Sequence, residues 1–377
     1  MQISTFQGPP PVVGTAAARR WRPLWQQVVT RWRTDVPARD SRRVRQFRDL
    51  LAAHAPHWLE EAAAFAGDTL ADLLDFNCHS APPPPAKQAG HCSSVLALGR
   101  ATADGQPLLL KIRDEAPWPQ ISFRRRLPRG PLVLGGTNPG NLGLATFLND
   151  AGLAGINNSG GPIRDLDVSV GFNDCHVLRW VAERARDCQQ ALDVIQQLME
   201  RRVLGLGGYR KGMILMFADA RGGGLVVECS RQKLAHRFLN DGVICRTNDY
   251  RLAEMEAEMD VARHHQPSYV SSLARSARLT ELVAAAGPLT PAKLKRISRD
   301  TTGTYPLCNA TGQFPFCTVA AWIHVLRRAD PAACRAWICE TAPSLGKYRA
   351  VPVRIVPPET PRRFARTPAS RTTKHHR

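Results

Sequence analysis

No run of about eighteen or more apolar residues occurs in this 377-residue chain, so no membrane-spanning helix is expected. Its ten cysteines include no C-x-x-C pair, which argues against a zinc ribbon or a redox dithiol. No G-x-G-x-x-G follows a strand. The stretch "GLGGYRKGM" has the wrong spacing for a phosphate loop and no Ser or Thr after its Lys, so it reads as a glycine-rich loop. No internal repeat is visible. The opening "MQISTFQGPPPVVG" lacks the basic and apolar regions of a signal peptide. A cytoplasmic location with reduced cysteines is therefore expected.

Acidic residues are also short: 32 Asp and Glu stand against 51 Lys and Arg, for a net charge of +19. The basic residues are spread out and mostly Arg, apart from a concentration in the tail "TPRRFARTPASRTTKHHR". No nucleic-acid motif accompanies them, so a solvated, Arg-rich surface is the reading, with no specific nucleic acid as partner. His264–His265 and His375–His376 have no acid or cysteine at ligand spacing, so no metal is expected, and no other cofactor is implied.

The chain falls into three parts. Residues 1–91 form a helical lead, with a short strand and a Pro-rich turn over 1–14. Apolar residues then recur at three- and four-residue spacing from Thr15 to about Phe65, and another short helix follows at "GDTLADLLDFNCHS". After "APPPPAKQAG", which cannot be helix or sheet interior, residues 92–356 read as an α/β body. Short strands are expected at "SSVLALG", "PLLLKIRD", "FLND", "AGLAGINN", "GMILMFADA", "GGLVVECS", "KLAHRFL", "GVICRTN", "FCTVAAWIHV" and "CRAWICE". One long helix is expected over "HVLRWVAERARDCQQALDVIQQLMERR", capped near Asn173 or Asp174, with further helices at "LAEMEAEMDVARHH", "SSLARSARLTELVAAAG" and "TPAKLKRISRD". Residues 357–377 read as a basic tail expected to be disordered.

Cys92 begins a strand directly after the proline linker. If the chain is cut between His91 and Cys92, the new terminus carries a thiol and an α-amine on one residue. That amine has a pKa of about 7.7–8.0, so one residue supplies both nucleophile and base. The lead is then a propeptide or a separate small subunit.

"HCSSVLALGRATADGQPLLLKIRDE" resembles the nucleophile hairpin of the N-terminal-nucleophile (Ntn) hydrolases, within them the acyl-CoA:6-aminopenicillanate acyltransferase group. Choloylglycine hydrolases and penicillin V acylase are more distantly similar. The opening "ISTFQGPPPVVGTAAARRWRPL" resembles that family's first strand, turn and helix. "FLNDAGLAGINNSGG" resembles its Asn-Glu-x-Gly-Leu-x-x-x-Gly-x-Asn motif, and "SSLARSARLTEL" its Arg-x-x-Arg helix start. The order and spacing of these pieces carry the resemblance, from about Ile3 to Val356.

The resemblance implies an α+β, four-layer αββα sandwich with the helical lead packed on it. It also implies an autoprocessed acyltransferase or amide hydrolase acting on an amide or thioester carbonyl through an acyl-enzyme. Cys92 is then the nucleophile, Asp114 the carboxylate that orients the α-amine, and Asn157 the oxyanion-hole residue. Asn248 supports the intermediate or the amine, a backbone N–H near Ser93 or Ser94 assists, and Arg275 or Arg278 lies near the pocket. The implied partners are a small acyl amide or acyl-CoA-like substrate and the cleaved small chain; a homo-oligomer is compatible. His91 stands where the family has Gly, Lys111 where choloylglycine hydrolases have Arg, and Arg113 and Glu115 where aromatic residues are usual. Two other readings stand beside this one. The first is an inactive Ntn-fold paralogue that binds without catalysis. The second is an uncleaved cysteine enzyme using a distant histidine, His176 or His324. The remaining cysteines read as small buried hydrophobes.

Overall fold

The computed structural model describes residues 3–36, 40–78, 92–164, 170–205, 211–260, 266–311, 316–328 and 330–354. The glycine-rich stretch beyond Gly205, the proline linker with His91, both histidine pairs and the basic tail lie outside the described residues. β1 (Ser4–Gln7) precedes helices α1 (Pro10–Asp35), α2 (Ser41–His54), α3 (Pro56–Ala66) and α4 (Leu70–Cys78). β2 (Cys92–Leu98) and β3 (Leu108–Glu115) form a hairpin, followed by β4 (Ile121–Arg126), β5 (Leu132–Thr137), β6 (Thr146–Asn149) and β7 (Leu153–Pro162). Helices α5 (Asp174–Arg184) and α6 (Cys188–Glu200) lead to β8 (Lys211–Asp219), β9 (Gly224–Cys229), β10 (Leu234–Leu239) and β11 (Gly242–Arg246). The chain continues through α7 (Ala253–Glu256), α8 (Pro267–Ala286), α9 (Pro291–Ile297), β12 (Cys317–Val325), β13 (Arg335–Cys339) and β14 (Arg349–Pro352).

The strands form two sheets. One has eight strands in the order β1-β4-β5-β6-β7-β8-β9-β10, and the other six in the order β11-β2-β3-β12-β13-β14. Alternating side chains decide what lies on each face. In β2, Leu96 and Leu98 meet the eight-stranded sheet through Leu134, Ile156 and Val226. Val95 and Ala97 turn the other way, onto Leu279 and Val283 of α8 and Leu294 of α9. The far face of the eight-stranded sheet is covered by α1 to α6, with Trp25, Phe47, Trp58 and Val181 in that core. The layers are thus helix, sheet, sheet, helix: an αββα sandwich. Strands buried on both faces read as continuous apolar runs, as "SSVLALG" and "PLLLKIRD" do. Among the described residues no helix is long and apolar enough to cross a membrane.

Four local expectations change. The prolines at the start do not form a turn; Pro10 opens α1, where a missing N–H costs nothing and φ is preset. The expected long helix over residues 176–202 is two helices. Asp187 caps α6 by accepting from Gln190 N at 2.9 Å, which ends the first helix at Arg184. The helix expected from Leu252 is the single turn of α7, and the rest of that stretch is partly outside the described residues. Finally, β4 and β5 were not expected. The arginines of "ISFRRR" concealed a buried strand: Arg124 donates to the carbonyls of Pro352 and Val353, and Arg125 pairs with Glu61 and Glu183.

The lead is tied to the body at several levels. β1 pairs in parallel with β4, Ser4 opposite Phe123. Glu61 of α3 and Glu183 of α5 share Arg125 and Arg179 in one buried ion network. Asn77, in the last turn of α4, clamps the loop after β5. It donates to Gly140 O and accepts from Leu142 N, both at 2.8 Å. That loop passes so close to Trp25 that a Cβ on Gly140 would sit 2.0 Å from its ring.

Candidate active site

Four elements converge on Cys92. It is the first residue of β2 and lies opposite Arg113 of β3. Its backbone N–H donates to Asn248 Oδ1 at 2.9 Å. Arg275, wholly buried on α8, donates to Cys92 O at 2.8 Å, Ser93 Oγ at 2.9 Å and Asn248 Oδ1 at 3.0 Å. Lys111 of β3 places Nζ 3.4 Å from Cys92 Sγ. The same ammonium donates to the backbone carbonyl of Asn157 and, at 3.1 Å, to its Oδ1. Cys92, Ser93, Asn157, Asn248 and Arg275 are therefore gathered at one end of the sandwich.

Asn248 is held from three sides, which fixes its carboxamide. Beyond Cys92 and Arg275, its NH₂ donates to Ser159 O at 2.9 Å and its backbone N–H to Ser272 Oγ at 2.8 Å. Ser272 in turn donates to Asp249 Oδ1 at 2.6 Å. Ser94 donates to Asn158 Oδ1 at 2.9 Å, which ties the two sheets together beneath the site.

Asn157 is oriented differently from the sequence-based expectation. Its NH₂ donates to Asp174 Oδ2 at 3.0 Å and Cys175 Sγ at 3.2 Å, while its carbonyl oxygen faces Lys111. Lys111 is thus the donor beside the thiol. The resemblance marked it only as a Lys where choloylglycine hydrolases have Arg; its place opposite Ser94 across the hairpin puts it on the Cys92 face. Asp174 and Cys175 carried no sequence signal beyond a helix start. Burial raises the Asp174 carboxyl above its ordinary value and pushes the Cys175 thiol up to about 12.

Asp114 lies one residue beyond the Cys92–Arg113 pair and accepts from Thr318 Oγ1 at 2.6 Å. Burial pushes its carboxyl up to about 7, against the pull of Arg275, Thr318 and Lys111. Burial lowers the Arg275 guanidinium, which Asp114 and Cys92 oppose. Arg113 reaches away from the cysteine, to Gln120 Oε1 at 2.8 Å and Asn138 Oδ1 at 2.9 Å.

Two expectations separate cleanly. Arg278, three residues from Arg275, points outward to Asp300 Oδ1 at 2.8 Å and Glu281 Oε2 at 3.0 Å. The histidines of the cysteine–histidine alternative have their partners elsewhere. His176 packs on Phe47 and Trp58 and caps α5 through Asn173, and His324 bonds Thr146 Oγ1 at 2.6 Å. Burial drives both imidazoles down to about 3, so they are neutral near pH 7. Among the described residues, no three His, Cys, Asp or Glu side chains are grouped to hold a metal ion.

No protein-family profile matches the chain, and no curated protein matches it. Among solved structures it is similar to a mutant conjugated bile acid hydrolase from Clostridium perfringens. Identity is 13%, over 69% of this chain and 92% of that one, with a TM-score of 0.44. It is also similar to the Caenorhabditis elegans N-acylethanolamine-hydrolyzing acid amidase ortholog, at 14% identity over 62% and 92%, with a TM-score of 0.42. A third is penicillin V acylase from Agrobacterium tumefaciens, at 13% identity over 66% and 82%, with a TM-score of 0.39.

Proposed function

We propose that the chain is an N-terminal-nucleophile amide hydrolase or acyl transferase, which exposes Cys92 by cutting its own chain after His91. The setting of Cys92 carries this reading. It opens a strand directly after the linker, its backbone nitrogen is held by Asn248, and its sulfur faces Lys111. A cut at that point turns the held amide nitrogen into an amine 2.9 Å from a fixed acceptor. The resemblance noted in the sequence supports the same assignment.

The reaction then runs as follows. The Cys92 amine takes the thiol proton, directly or through a water. The thiolate adds to the carbonyl carbon of an amide. Lys111 Nζ, already within reach of Sγ, is the best-placed donor to the oxyanion; Asn157 holds that ammonium in position rather than offering its own NH₂. The C–N bond breaks, the leaving amine takes the proton from the Cys92 ammonium, and an acyl thioester remains. Water or an acceptor amine, giving its proton to the Cys92 amine, attacks the thioester and restores the thiol. Asp114 and Arg275 position the N-terminus. The substrate is a small acyl amide, and the cleaved lead stays as a partner through the buried ion network.

Intact mass tests this reading. Wild type should give two chains that split at Cys92, and Cys92→Ala a single chain. An intact wild-type chain whose Cys92 resists alkylation would overturn it.

A further inference from the structure

β12 carries an irregularity beside the candidate site. It runs antiparallel to β3, with Trp322 opposite Lys111, Ala321 opposite Ile112 and Ala320 opposite Arg113. A regular ladder would next set Val319 opposite Asp114. Instead the register shifts, and Thr318 takes that place. Bulges of this kind re-aim a side chain, and they are over-represented beside active sites. Here the bulge exchanges an apolar side chain for a hydroxyl against a buried carboxylate.

The hydroxyl is itself held. Thr318, 3% exposed, accepts the backbone N–H of Asn309 on Oγ1 at 2.8 Å and returns its own backbone N–H to Asn309 O at 2.9 Å. With that acceptor position filled, Thr318 Oγ1 donates its proton to Asp114 Oδ1 at 2.6 Å. An O–H bond of this length to a carboxylate is charge-assisted and about twice as strong as one between neutral groups, so it favours the ionised acid. It works against burial, which pushes the Asp114 carboxyl up to about 7. The other charged and titratable groups around Asp114 are Arg275 of α8, Lys111 and Glu115 of β3, and the thiols of Cys308 and Cys317, both raised by burial.

We propose that Thr318 is a positioning residue of the site, which holds the Asp114 carboxylate ionised and in one orientation and so sets the acid limit of activity. This rests on the reading of Asp114 as the carboxylate that orients the Cys92 amine. Thr318 acts only through Asp114, and the bulge in β12 is the local feature that makes this possible.

Urea unfolding of the uncut Cys92→Ala chain reads the bond without turnover. Thr318→Val should destabilise that chain more at pH 9 than at pH 6, because the lost donor serves the carboxylate more than the carboxylic acid. Adding Asp114→Asn should abolish the difference between the two pH values. Thr318→Ser keeps the donor and should behave as the parent chain. Where the valine variant does not fold, Thr318→Ala reads the same difference. An equal loss at both pH values would overturn the proposal, whatever its size. The matured enzyme with hexanoyl p-nitroanilide reads the consequence. The acid limb of kcat/KM should move up by about one pH unit in Thr318→Val and return in Thr318→Ser. A limb that stays in place would overturn the proposal and leave the hydrolase reading standing. A pH-dependent loss in unfolding, with no anilide cleaved by wild type, supports the hold of Thr318 on Asp114 and counts against the hydrolase reading alone.

Discussion

Cys92 donates its backbone N–H to Asn248 Oδ1 at 2.9 Å, and Arg275 reaches the same oxygen at 3.0 Å. One carboxamide thus joins the start of β2 to the helix behind it. Asn248→Ala removes that acceptor and frees the start of β2, which, on the proposed mechanism, should lower kcat by about a hundredfold. It should also slow the appearance of the cut chain on a mass-spectrometric time course. Wild-type processing and turnover in the variant would remove Asn248 from the site.

Lys111 Nζ lies 3.4 Å from the Cys92 thiol. Lys111→Met removes that donor and should slow alkylation of Cys92 by iodoacetamide at pH 7 by about tenfold. Lys111→Arg should retain most of the wild-type rate. Equal rates in all three proteins would show that the 3.4 Å contact has no effect on the sulfur.

The two candidate arginines make opposite predictions. Arg275→Lys keeps the charge but cannot bridge Cys92 O, Ser93 Oγ and Asn248 Oδ1 from one planar group, so turnover should fall at least tenfold. Arg278→Ala removes an outward pair with Asp300 and Glu281 and should leave turnover unchanged. Steady-state kinetics on the two variants decides between them.

Asp114 titrates near pH 7 in the folded chain, well above the usual carboxylate range. If its ionised form orients the Cys92 amine, kcat/KM should rise as pH passes through about 7, and Asp114→Asn should flatten that limb. The stability effect has the opposite direction. The folded state binds this proton more tightly than the unfolded state, so its contribution falls as pH rises from about 4 to about 7. In urea unfolding, Asp114→Asn should gain stability relative to wild type between pH 5 and pH 8. A constant difference across that range would contradict the raised value.

Glu183 binds Arg125, Arg179, His57 and the indole N–H of Trp58 at once. Glu183→Ala leaves two buried guanidinium groups with one carboxylate fewer, at a cost of about 3–5 kcal/mol. Chemical unfolding should read this loss. Size-exclusion chromatography of the cut protein should show the small chain leaving the large one more readily.

The apolar runs in "SSVLALG" and "PLLLKIRD" were visible from residue order because they depend only on neighbours along the chain. The same holds for Asp187, a capping residue three positions before Gln190, where the helix restarts. β4 was hidden for a different reason. Arg124 and Arg125 are buried only because carbonyls and carboxylates from distant segments meet them, and Glu61 is 64 residues away from Arg125. The proline linker and the strand-initial cysteine were likewise legible, since each is a matter of local covalent order.

The sequence by itself determined that Cys92 starts a strand after a linker, that a hairpin follows it, and that Asp114, Asn157, Asn248 and two arginines were the polar residues to watch. Only the tertiary structure decided how they are placed. It chose Arg275 over Arg278, because one of the two meets β2 and the other meets Asp300. It also turned the Asn157 NH₂ onto Asp174 and left Lys111 beside the sulfur. Those outcomes depend on contacts between segments far apart in the chain, where packing and hydrogen-bond saturation, rather than residue type or spacing, set the direction of each side chain.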